Sequence, residues 1–166
     1  MIDFVLKDRR LRLYPDGVIR GRSIKNGVET KNETWRIIKF HESNNGYQVC
    51  GITVDGCIRQ FSKHRLIKLA HNPSWDIFDS SQDNCIDHIN HIKADNTDEN
   101  LRVVTNQQNQ FNRSNTKGYI WSKPDKKWKA QIVLNKTQIH LGMFKNEEDA
   151  RAAYLKAKER LHRIPK

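Results

Sequence analysis

The sequence predicts an α+β protein built from three small modules. These are an N-terminal β-rich segment over residues 1–75, a strand–loop–strand–helix unit over 76–113, and a three-stranded antiparallel sheet packed on one helix over 114–166. Three observations carry this reading. Turn signals break the first 70 residues into short alternating segments. With 166 residues, 36% of them hydrophobic, and a mean hydropathy of −0.84, the chain suits several small cores better than one large one. Charge is also segregated: Lys plus Arg against Asp plus Glu stand at 14 to 7 in residues 1–75, 1 to 7 in 76–100, 1 to 0 in 101–112 and 14 to 5 in 113–166.

In the first module, Pro15-Asp16-Gly17, Lys25-Asn26-Gly27, Asn44-Asn45-Gly46 and Val54-Asp55-Gly56 punctuate the strands. Residues 47–54 and 57–62 flank Asp55-Gly56 as a hairpin. The run from Lys63 to Ala70 reads as a helix through Leu66, Ile67, Leu69 and Ala70. In the second, a strand at 85–89 is followed by a polar loop through Asn96 and a strand at 101–104. A helix then starts at Thr105, an N-cap whose capping-box partner is Gln108 and whose helix carries Asn109 and Asn112 along one side. In the third, residues 117–121, 127–132 and 139–144 alternate as strands, with turns at Pro124-Asp125 and Leu134-Asn135-Lys136. A helix entered at Asn146, with Asp149 three residues on, follows them. Its apolar stripe is Ala150, Ala153, Tyr154, Ala157 and Leu161.

The chemistry concentrates in the middle module. Eleven residues separate His88 from Asn100 and eight separate Asn100 from Asn109, and Asp87 precedes His88. A carboxylate, an imidazole and two carboxamides are the parts a one-metal phosphodiesterase needs: a base for the water and a cation at the phosphorus. His88 is the candidate base, since an imidazole titrates close to neutrality. Asp87 and Asn109 are hard oxygen ligands suited to Mg²⁺ or Mn²⁺ rather than zinc. Arg102 and Arg113 either clamp phosphates or lie on a solvated surface. His91 either contacts phosphate or is simply exposed.

These residues, with the Asp-His-Ile and Asn-Leu-Arg words around them, resemble the HNH nucleases of the phage and intron-encoded homing type. The resemblance implies a ββα-metal hairpin and helix, with His88 acting on water, Asp87 and Asn109 holding the metal, and Asn100 tying the loop together. The family usually has Gly where this chain has His91. Gly46-Tyr47, Asp55-Gly56 and His64-Arg65-Leu66 occur in the order found in the N-terminal part of phage HNH endonucleases. The third module resembles the ethylene-response-factor DNA-binding domain of plants, through Lys117-Gly118, a Lys-x-Trp-like core at Trp128, Leu141-Gly142-Met143-Phe144 and the Ala-rich helix. It departs from that pattern at Ile120 and Ser122, where Arg is usual, so the plant base contacts do not carry over there.

The expected partner is double-stranded DNA, gripped by two basic arms around an acidic centre. Arg102, Arg113, Lys117, Tyr119, Trp121, Lys123, Lys127, Lys129, Gln131 and His140 are the candidate DNA contacts, and the aromatic and basic residues of the third module are divided between core and groove. Trp128 and Ile132 belong to the helix-packed face. An exposed Trp121 points to DNA and a buried one to packing. Cys50, Cys57 and Cys85 form no Cys-x-x-Cys pair, so neither a disulfide framework nor a four-thiolate zinc site is indicated. The N-terminus is too short and too acidic for a secretory signal, no run is long enough to span a membrane, and no heptad argues for a dimer; the expectation is a monomer of the cytoplasm. The reading is a metal-dependent DNA endonuclease, with a DNA-binding regulator on a non-catalytic scaffold as the alternative.

Overall fold

A computed structural model describes residues 1–23, 34–113 and 116–164. The turn expected at Lys25-Asn26-Gly27 lies outside them. The described chain is mixed α+β, with small antiparallel sheets and three helices, and it divides into two compact units, Met1–Val103 and Val104–Lys166.

The first unit begins with a four-stranded sheet in the order β1 (Ile2–Leu6), β2 (Arg9–Leu13), β3 (Ile19–Ser23) and β4 (Arg36–Ile37). Alternation gives it two unlike faces. Phe4, Leu6, Leu11, Leu13 and Ile19 are buried, whereas Asp3, Val5, Arg10, Arg12, Arg20 and Arg22 occupy the opposite face. A second sheet contains β5 (His41–Glu42), β6 (Gln48–Val54) and β7 (Cys57–Ser62). Asp55 and Gly56, at φ 49° and 76°, form the two-residue turn between the last two. Helix α1 (Lys63–His71) buries Leu66, Ile67, Leu69 and Ala70 into a core shared with both sheets.

Trp75 and Ile77 extend that core after α1. Asn84 fixes this irregular segment: it donates to the carbonyls of Asp76 and Asp79 and accepts from the Trp75 indole. Asp76 and Asp79 accept from the amides of Phe78 and Ser81 two residues on, so much of the acidic run serves local turns. The unit closes on the two-stranded ladder of β8 (Cys85–His88) and β9 (Leu101–Val104).

In the second unit, α2 (Asn106–Phe111) starts with a complete capping box: the Thr105 hydroxyl accepts from the Gln108 amide at 3.1 Å, and Gln108 Oε1 accepts from the Thr105 amide at 2.9 Å. Phe111 stacks on His162 at 3.7 Å, and Lys158 donates to the Arg113 carbonyl. The boundary between units therefore falls inside the segment that the sequence reading joined as one module. The sheet of β10 (Tyr119–Ser122), β11 (Lys127–Leu134) and β12 (Thr137–Phe144) packs on α3 (Glu147–Leu161) through Ile132, Tyr154 and Ala157. Asn146 is the N-cap residue of α3, but its side chain makes no cap bond and donates to Asp149 instead.

Gly118 sits at φ 68°, and a β-carbon there would lie 2.1 Å from the Tyr154 ring. Gly118→Ala should therefore cost about 3 kcal/mol, from steric overlap plus left-handed backbone. A denaturant melt compared with the parent checks this.

Candidate active site

The loop after β8 is held by its own polar side chains. Asn100, buried at the end of a 3-10 turn (Asp98–Asn100), accepts from the Asn90 amide at 3.0 Å and donates to the Asp95 carbonyl at 2.8 Å. Its carbonyl takes the Ile89 amide. Asp95 accepts from Thr97 and Asn90, and these bonds, those from Thr97 first, hold its carboxyl below the usual range. Asp98 pairs with Lys68 at 3.1 Å and anchors the turn to α1. His91 is exposed at φ 66°, a left-handed conformation that accounts for the usual glycine there.

Asp87 and His88 stand at the end of β8, 6% and 5% exposed. Both Arg102 Nε and Nη2 donate to Asp87 Oδ2, at 2.9 and 2.7 Å. Arg102, expected either to clamp phosphate or to lie on a solvated surface, thus meets a buried carboxylate through Nε and Nη2. The His88 ring is bonded through Nε2 to Asn96 Oδ1 at 3.2 Å. Rings wall it in, with His64 edge-to-face at 5.3 Å and Tyr47 tilted at 5.9 Å. Tyr47 and His64 also touch, at 5.1 Å. Sequence reasoning assigned no role to Asn96, Tyr47 or His64, although Tyr47 and His64 lie in the words that carried the resemblance.

Asp87 in the first unit and the Asn109 carboxamide in the second each offer an oxygen of the kind Mg²⁺ takes. No group of three or more His, Cys, Asp or Glu side chains is gathered among the described residues. A single carboxylate such as Asp87 would leave an ion most of its positions for water and substrate phosphate.

In the second unit, the strand register sorts the candidate DNA contacts. Directly paired residues share a face, so Tyr119, Trp121, Trp128, Ala130 and Ile132 lie on one side, and Ile120, Ser122, Lys127, Lys129, Gln131 and His140 on the other. Ile132 and Ala130 are buried and Tyr119, partly buried, packs against the helix-side cluster. Trp121 shares that face, lying 5.4 Å from Trp128, yet is 45% exposed. Lys117, Lys123 and Arg113 are exposed outside the strands.

The first unit holds a cationic face that motif reading did not single out. Arg10 lies opposite Arg22 and Arg12 opposite Arg20. The Arg12 and Arg22 guanidinia sit 4.4 and 4.8 Å from the Trp35 ring centroid, and Arg20 lies 5.0 Å from that of Tyr14. Asp3 partly offsets them through Arg12, at 2.5 and 2.7 Å, and this bond holds its carboxyl below the usual range. The detectable signal was the arginine at every second position of two consecutive strands.

No known family's sequence profile matches the chain. A stretch of 72 residues, 42% of this chain, is 39% identical to an uncharacterised HNH endonuclease of Acanthamoeba polyphaga mimivirus, and it spans 38% of that relative. Among solved structures, the HNH homing endonuclease I-HmuI, described in terms of its DNA binding and cleavage, is similar over 61% of this chain and 50% of its own. That similarity has 25% identity and a TM-score of 0.41. The chain is thus related in sequence to an HNH endonuclease over that stretch. No helix among the described residues is long and apolar enough to cross a membrane.

Burial first, with His88 and Arg65 nearby, pushes His64 down to about 3. An unfolded imidazole titrates near 6.5, so between those values the unfolded chain binds more protons. The stability tied to neutral His64 is complete above about pH 6.5 and falls by about 1.4 kcal/mol per unit as pH drops towards 3. Denaturant melts at pH 7 and pH 5 should differ less in His64→Phe than in the parent, by roughly 2 kcal/mol.

Proposed function

We propose that the chain is a metal-dependent DNA endonuclease of the homing type. The observation that carries the reading is the buried Asp87-His88 pair at the end of β8, facing a loop whose polar side chains fix its path. The sequence relationship to an HNH endonuclease supports it. In the proposed reaction a water gives its proton to an imidazole nitrogen of His88. The resulting hydroxide attacks phosphorus and the bond from phosphorus to the 3′-oxygen breaks. Solvent water protonates that oxygen, leaving a 3′-hydroxyl and a 5′-phosphate. A bound Mg²⁺ or Mn²⁺ would neutralise charge at the phosphorus. Asp87 is the proposed carboxylate for it and Asn109 the proposed carboxamide. Asn100 keeps the loop in shape through its hydrogen bonds to Asn90 and Asp95.

Two cationic faces supply the grip in this proposal. One is the arginine face of β2 and β3. The other is the outer face of the second unit, with Lys127, Lys129, Gln131 and His140. In line with the sequence expectation the enzyme acts as a monomer on double-stranded DNA, and with one Asp87-His88 pair and one Asn109 per chain it produces chiefly nicks. The commitment of Arg102 to Asp87 favours one second reading, a DNA-binding protein whose nuclease unit only supports the fold.

Incubation of supercoiled plasmid with and without Mg²⁺ separates the two. The endonuclease converts it to nicked circle only with metal. His88→Ala lowers the rate by ~10²- to 10⁴-fold with DNA affinity unchanged, and Asp87→Ala and Asn109→Ala lose the metal dependence together with cutting. Metal-independent binding without any cut product supports the regulator.

For the grip, Lys127→Ala with Lys129→Ala should shallow the slope of log K against log salt by roughly 2. A salt titration of binding that leaves the slope unchanged excludes that face as a phosphate contact.

A further inference from the structure

The tautomer of His88 is set by a side chain outside the metal and base assignments. Asn96 is buried, and its amide can point only one way: Nδ2 lies 3.2 Å from the Ala94 carbonyl, which can only accept, and 3.5 Å from Gln48 Oε1. The Asn96 oxygen is therefore the atom at 3.2 Å from His88 Nε2, and an amide oxygen can only accept. Nε2 must carry the hydrogen. In a neutral imidazole the lone pair then belongs to Nδ1. Tyr47 and His64 limit rotation of the ring from its sides.

We propose that Asn96 is a positioning residue that holds the proton of His88 on Nε2 and so makes Nδ1 the nitrogen that takes the proton from water. This rests on the nuclease reading for what Nδ1 does, but not for where the proton sits. The amide also explains a neutral partner at this place. A carboxylate would hold the proton as well but would favour the charged ring, which cannot accept another.

The test uses the full chain labelled with ¹⁵N-histidine, above the ordinary imidazole pKa. The His88 signals are assigned by their loss in His88→Gln. The parent should show a protonated Nε2 and an unprotonated Nδ1. In Asn96→Ala the single tautomer should give way to a mixture, and kcat for plasmid cleavage should fall about 10- to 100-fold with KM unchanged. Asn96→Asp, which keeps the acceptor, should retain the Nε2 proton, while kcat stays below the parent value because the carboxylate favours the charged ring. It also decides the matter with the parent spectrum if Asn96→Ala fails to fold. A proton on Nδ1 in the parent, or an Asn96→Ala variant with unchanged tautomer and kcat, overturns the proposal. The spectrum needs no turnover: a parent that cuts nothing yet carries its proton on Nε2 overturns the nuclease reading and not the role of Asn96.

Discussion

The β8–β9 ladder depends on the neutralisation of one buried charge. A carboxylate at the position of Asp87, almost wholly removed from water, is destabilising by several kcal/mol unless a cation meets it, and Arg102 from the neighbouring strand does so with two donors on one oxygen. Each hydrogen bond in the loop contributes only about 1 kcal/mol net, so this pair outweighs any one of them. It also sets register: with Arg102 facing Asp87 across the ladder, β8 and β9 cannot slip without stranding the charge. The cost is local. An arginine that satisfies Asp87 also reduces the negative potential its carboxylate would present to the proposed metal ion.

Charge elsewhere is arranged against stability. Like charges directly opposite one another in antiparallel strands repel, yet β2 and β3 place Arg10 against Arg22 and Arg12 against Arg20. Stacking on Trp35 and Tyr14 and the single carboxylate of Asp3 relieve part of this. The acidic stretch is in contrast largely spent. Asp76 and Asp79 close turns, Asp95 shapes the loop, and Asp98 and Asp87 have cationic partners. The segregated charge seen along the sequence thus becomes cationic strand faces and an acidic centre largely engaged in local bonds.

What was legible in the sequence follows from which forces are local. The Asp55-Gly56 hairpin, the capping box of α2 and the three strands before α3 rest on neighbours within a few residues, and periodicity or turn chemistry exposes them. The side on which a strand residue falls is not local. Tyr119 and Lys129 are both plausible on a groove-facing surface until the register pairs Tyr119 with Ala130 and Ile120 with Lys129. Arg102 shows the same limit, because its partner lies 15 residues back on another strand. The association of α2 with the second unit depends on Phe111 meeting His162, a contact across some fifty positions that no pattern reveals. Asn96 escaped notice because an asparagine in a polar loop looks solvated until its amide is found buried against an imidazole.

The loop between His88 and Asn100 acts as a ruler. Its bonds are counted in fixed steps, from Asn100 to Asn90 and Asp95, from Asp95 to Thr97, and from Asn96 to both His88 and Ala94. The side chains of His91, Ile92, Lys93 and Ala94 meanwhile stay exposed. Identity at Ile92 and Ala94 is thus loosely constrained while the number of residues is not, since one inserted residue would carry Asn100 or Asn96 away from its partners. Drift over generations can rewrite the letters of such a segment and leave its length untouched, which is why an interval can outlast the words inside it.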